Sequence, residues 1–205
     1  MTLDPDAVLP GTNVLIAGPA MTGKRRLMLD LVGGAPDRSG IVVTTKKSAA
    51  QVQAEFGESR DLDDWELSLV DCVTRQRAVG TVTDNRNVRY ISSAGDLTGI
   101  GIATSGWMQD LYHNPDRRRA RVGVHSLSTL LMYADLRRVY QFIHVVTGRI
   151  ESSGFAGVFT IDTATDAETL NRLRQLFDAM VELRDDPLAL RVRGGEFGPQ
   201  EWTRV

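Results

Sequence analysis

Cysteine is nearly absent from this chain. Cys72 stands alone in 205 residues, so no internal disulfide and no cysteine-rich metal knuckle can form. Between the apolar Val70 and Val73 it reads as a packed thiol rather than a nucleophile. Histidine is almost as scarce: His113, His125 and His144 match no simple metal-ligand spacing, and no metal site is expected. No apolar run reaches the ~20 residues of a membrane-spanning helix. The start of the chain has no basic region leading into an apolar one, so a cytoplasmic location without membrane contact is expected. A net charge of −2 gives no general attraction to nucleic acid. No repeat, low-complexity tract or linker breaks the chain, and residues 1–205 are expected to form a single domain. Hydrophobic residues make up 42% and charged residues 24%, which suits a buried core and argues against disorder.

Lysine is the most informative scarcity. Of 24 basic residues only Lys24, Lys46 and Lys47 are lysines; the other 21 are arginines. A GC-rich genome would explain the arginine bias, and it makes the placement of three lysines harder to dismiss. The first lies in Gly18-Pro19-Ala20-Met21-Thr22-Gly23-Lys24-Arg25. This stretch follows the pattern G-x-x-x-x-G-K-[ST] through Lys24, then has Arg25 where a hydroxyl would ligate Mg²⁺. Asn13–Ala17 before it reads as a buried strand, and Arg26–Val32 after it as a helix. In that context the turn's N–H groups and the positive helix end face an anion. Residues 18–25 are therefore the candidate nucleotide-binding loop, poorly equipped to hold the metal. The bland alternative is a strand, turn and helix whose glycines match by chance.

Strands and helices alternate along the rest of the chain. Ile41–Thr45, Leu67–Asp71, Val88–Ile91, Arg121–Ser126 and Gly157–Asp162 read as strands. Helices are expected over 49–57 behind Ser48, over 96–112, over 128–150, and from Asp166 to about Phe177. In the second of these Leu97, Ile100, Ile102, Trp107 and Leu111 are the expected core contacts. Residues 74–88 read as an exposed loop. Ala179–Leu183 and Leu188–Val192, separated by Asp185-Asp186-Pro187, read as an antiparallel hairpin. The pattern predicts an α/β fold, a mostly parallel sheet flanked by helices.

The order of these pieces resembles the RecA superfamily, and within it the KaiC-like ATPases, over nearly the whole chain. Gly40–Thr45 with Lys46-Lys47-Ser48 is similar to the family's second strand and following helix. Arg121–Ser128 is similar to its Walker B strand and serine-rich turn, and Leu190–Gly194 to its C-terminal basic strand. The phrases Gly95–Gly101 and Gly194–Trp202 are similar to small haloarchaeal KaiC-like proteins described as inactivated signalling ATPases. The resemblance implies a RecA-like P-loop fold, ATP as the ligand and assembly between subunits. It also marks three departures. Active members have a hydroxyl where this chain has Arg25, paired glutamates where it has Lys46 and Lys47, and an aspartate where it has His125. Each change removes a group that manages Mg²⁺ or the attacking water, so a degenerate, non-hydrolysing module is expected, with no catalytic residue of its own.

Several alternatives stand beside that reading. Lys24, Arg25 and Lys46 or Lys47 would replace the missing cation for a metal-free nucleotide, or Lys46 and Lys47 are simply solvated and Arg25 points outward. An active ATPase would need Asp71 or Asp162 as a displaced metal ligand. The basic run Arg117-Arg118-Arg119-Arg121 suits phosphate, nucleic acid or an acidic partner, or is a solvated loop; DNA association is the least favoured reading. Arg191 and Arg193 share one strand face and either meet a neighbouring subunit, which a protein partner or self-association requires, or protect an exposed edge.

Overall fold

The computed structural model describes residues 3–58, 60–117 and 119–205; Arg118 of the basic run lies outside them. β1 (Asn13–Gly18) leads through the glycine-rich turn into α1 (Lys24–Val32). β2 (Ser39–Thr44) and α2 (Ala49–Gly57) follow. Ser48 opens α2 with a reciprocal capping box to Gln51, a device that contributes about 1 kcal/mol. Next come β3 (Glu66–Asp71), α3 (Thr74–Arg77), β4 (Val88–Tyr90) and α4 (Leu97–His113). β5 (Arg121–His125), α5 (Leu127–Tyr133), α6 (Leu136–Ser153), β6 (Ala156–Asp162) and α7 (Ala167–Arg174) complete the alternating part. β7 (Ala179–Arg184) and β8 (Ala189–Arg193) form the expected hairpin, and β9 (Thr203–Arg204) adds to it.

Among the described residues the strands make one sheet in the order β4-β3-β2-β5-β6-β1-β7-β8-β9. All pairs from β4 to β7 are parallel; β8 and β9 run antiparallel. Alternation along β1 shows why both faces are covered. Leu15 and Ala17 join the core under α4 and α6, whereas Val14 and Ile16 join the core with Leu27 and Met28 of α1 and Phe56 of α2. Strands buried on both faces need continuous apolar runs, and β1, β2 and β5 are buried at every position.

Three local expectations are corrected. The helix expected over 128–150 is two helices. Ser126 accepts from Thr129 N–H to cap α5, Ala134 is extended, and Asp135 accepts from Arg138 N–H to start α6; local capping breaks a continuous apolar period. Ile102 is 70% exposed, because α4 shows that side to solvent while Leu97, Ile100, Met108 and Leu111 face the core. The stretch 74–88 contains the turn of α3, seated by the Asp71 carboxylate, which accepts from the N–H groups of Val73 and Thr74.

Candidate functional site

Parallel strands bring their C-terminal ends to one edge of the sheet, and pairing sets which residues meet there. Gly18 at the end of β1 is in register with Asp162 at the end of β6. Thr44 at the end of β2 is in register with His125 at the end of β5. The three segments assigned from sequence to the site, 18–25, Lys46-Lys47 and His125, therefore converge with Asp162, although they are far apart in the chain.

The glycine-rich turn is tight at its entrance. A Cβ on Gly18 would lie 2.7 Å from Cβ of Leu183 on β7, so only glycine fits. Gly23 has φ +80°, a left-handed conformation that other residues adopt at a cost, and caps the start of α1. No side chain caps the first-turn N–H groups of α1. Pro19 and Ala20 continue the loop, Met21 at its tip is 99% exposed, and Thr22 donates its hydroxyl to the Pro19 carbonyl at 2.9 Å.

Lys24 points back into this turn and is only 5% exposed. Its ammonium donates to the carbonyls of Gly18, at 2.8 Å, and Pro19, and lies 2.8 Å from Oδ1 of Asp162. Lys46, 45% exposed, approaches the other oxygen of Asp162 at 3.4 Å. Burial would raise the Asp162 pKa, but hydrogen bonding and charge from Lys24, with Lys46 behind it, outweigh that and hold it below the usual carboxylate range. Arg25 turns neither into the loop nor freely into solvent. Its Nη2 donates to Oε1 of Glu55 on α2 at 2.9 Å; its Nε lies 2.9 Å from Oε2 as an ion contact not aligned for a hydrogen bond. Lys47 donates to the same carboxylate.

His125 is buried, and its Nδ1 is 2.7 Å from the hydroxyl of Thr160 on β6. Burial first, then the positive charges of Lys46 and Arg25, push its pKa down to about 3, with Asp162 opposing and Lys24 adding. That shift favours the neutral imidazole at pH 7, a poor ligand for hard Mg²⁺ and too weak a base to activate water well. Asp71 has no spare capacity: its carboxylate accepts from the N–H groups of Ala49, Val73 and Thr74 and from the Thr74 hydroxyl, at 2.6–2.8 Å.

Sequence reasoning missed two residues of this cluster. Asp162 was weighed only as a substitute metal ligand, and Glu55 carried no signal because nothing in α2 alone says that α1 lies beside it. On the far side of β1, Arg191 and Arg193 on β8 both reach Glu182 of β7, Arg193 at 3.0 Å. The ring of Trp202 lies 4.5 Å from the Arg191 guanidinium carbon and 4.8 Å from that of Arg184. Trp202 too was not foreseen. Arg117, Arg119 and Arg121 lie at the opposite edge of the sheet, away from this site.

No curated protein sequence matches the chain. Among solved structures, a KaiC-like protein of the hyperthermophilic archaeon Pyrococcus horikoshii superposes with a TM-score of 0.63 at 12% identity. The superposition covers 98% of this chain and 87% of that one, which establishes a KaiC-like RecA fold and nothing finer. A sequence-family profile described as "Family of unknown function (DUF7504)" matches residues 11–183, and the chain belongs to that family.

Proposed function

We propose that this protein is an inactivated KaiC-like P-loop domain, spanning residues 1–205, that holds ATP weakly and without a dedicated Mg²⁺. It works as a regulatory or signalling module through a protein partner or its own copies, in the cytoplasm, in the manner of the small haloarchaeal proteins it resembles. One observation carries the reading: the phosphate loop keeps its frame and Lys24, while Arg25, Lys46 and Lys47 bring three further positive charges to the same sheet edge. Asp162 and Glu55 offset two of these four charges, and the net positive charge left would take over part of the electrostatic work of a missing metal. Residues 18–25 would hold the phosphates. The groups that would orient water or Mg²⁺ are absent from the matching positions, where neutral His125 and two lysines stand. The rival reading, an active ATPase using Asp71 or Asp162, is disfavoured by the four hydrogen bonds already made to Asp71 and by the two lysines on Asp162. Calorimetry with ATP in EDTA is expected to show weak binding, and steady-state assays with Mg²⁺ to show essentially no turnover. Hydrolysis at roughly 1 s⁻¹ or faster, ordinary for an enzyme, would reject the proposal.

A further inference from the structure

Two carboxylates divide four cations between them. Asp162 joins Lys24 of the phosphate loop to Lys46 of the β2–α2 connection. Glu55 joins Arg25 of the same loop to Lys47 of the same connection. Each acid thus ties one end of the loop to one lysine after β2. The Lys24 ammonium has three N–H donors, and its three close acceptors are the Gly18 carbonyl, the Pro19 carbonyl and Asp162. Asp162 is the charged one of the three.

We infer that Asp162 is an internal stand-in for phosphate: it latches Lys24, and a polyphosphate ligand binds by displacing it. This rests on the nucleotide-binding reading above. The carboxylate is held in position by the backbone. The Asp162 N–H donates to the Ser128 hydroxyl at 2.7 Å, and the next residue, Thr163, donates its N–H to the Gly18 carbonyl at 3.0 Å. The end of β6 is therefore bonded to the start of the loop, which places the Asp162 carboxylate beside Lys24. A buried ammonium needs an anion nearby, and with no ligand this chain supplies its own. The exchange sets the ligand class. One carboxylate carries a single charge and two oxygens, so a triphosphate, which presents several of each to Lys24, Lys46 and the loop amides, competes well. A monophosphate or a carboxylic acid competes poorly. Apparent affinity falls by the fraction of molecules whose site is open, so the latch weakens binding without any change in the loop.

The test compares Asp162→Asn with wild type, using inorganic tripolyphosphate and ATP in EDTA, read by calorimetry. Asparagine keeps the size of the side chain and the backbone bonds but not the charge. Affinity for both probes is expected to rise about tenfold or more. Glu58→Gln, which removes an equal charge from an exposed partner of Arg26, is expected to change affinity less than about twofold. Lys24 acylation measured without any ligand is a second readout, and it is expected to speed up in Asp162→Asn. Asp162→Ser replaces the asparagine variant if that one folds poorly. Equal affinities in wild type and variant would overturn the latch and leave the binding proposal standing. An equal gain in Glu58→Gln would also overturn it, since the effect would then be general field rather than contact. Binding of neither probe to either protein would overturn the binding proposal and the latch together.

Discussion

The two edges of the parallel sheet each carry a basic cluster, and the clusters are held in different ways. At the C-terminal edge the cations meet side-chain carboxylates: Lys24 and Lys46 on Asp162, Arg25 and Lys47 on Glu55. At the N-terminal edge, Arg121 meets the main chain, Arg117 meets both the main chain and Glu66, and Arg119 meets a carboxylate. Arg121, 2% exposed, donates to the carbonyls of Leu31 and Pro5, both at 2.5 Å, and burial lowers its pKa. Arg117 donates to the carbonyls of Asp37 and Arg38, and Arg119 pairs with Asp37. A carboxylate–cation contact can be exchanged for a phosphate–cation contact without unfolding anything. A guanidinium bonded to buried carbonyls cannot leave without stranding them. On the reading proposed above the first edge serves exchange, whereas Arg121 at the second edge serves cohesion.

The largest effect is expected at the cohesive edge. Arg121→Met should lower unfolding stability by about 3 kcal/mol, because two carbonyls lose a charged donor, whereas Lys46→Met at the other edge should cost less than about 1 kcal/mol. Urea denaturation of both variants checks this; equal losses would erase the distinction. The next effect concerns His125. Its folded pKa of about 3 lies below the ordinary 6.5, so between those values the unfolded chain binds more protons than the folded one. Stability from this group is complete above pH 6.5 and falls as pH drops toward 3, by about 2 kcal/mol between pH 7.5 and 5. His125→Gln should flatten that part of the pH profile, and an unchanged slope would show that the imidazole is not held neutral.

A somewhat smaller effect is expected at the exchangeable edge. Lys24→Ala should weaken ATP binding in EDTA by about tenfold or more, equivalent to about 1.4 kcal/mol. Adding Mg²⁺ to wild type should change affinity less than about threefold, close to 0.6 kcal/mol. A strict Mg²⁺ requirement in the same titration would place a metal ligand that this chemistry does not provide. An effect on association of about 1 kcal/mol or less is expected from Arg191→Glu with Arg193→Glu. Both arginines already share Glu182, and Trp202 stacks on Arg191, so a neighbouring subunit would gain only what these contacts leave. Light scattering should show weaker self-association at every salt concentration. A wild-type chain that is strictly monomeric, with no homologue co-purifying, would end the assembly proposal.

Much of this molecule was legible in its sequence because the relevant signals are local. The apolar runs at Asn13–Ala17, Ile41–Thr45 and Gly157–Asp162, the glycines before Lys24, and the cap residues Ser48 and Asp166 act within a few residues of themselves. They led to the alternating fold and to the loop at 18–25. The break at Ala134-Asp135 was missed because the apolar period runs on across it while the caps compete locally. What each charge does was decided by the tertiary structure. Arg25 meets Glu55 and Lys24 meets Asp162 across separations of 30 and 138 residues, contacts that exist only once β6 has paired with β1 and α2 has packed near α1. Electrostatic partners are chosen by distance in space, and sequence pattern carries no such distance until the sheet order is known.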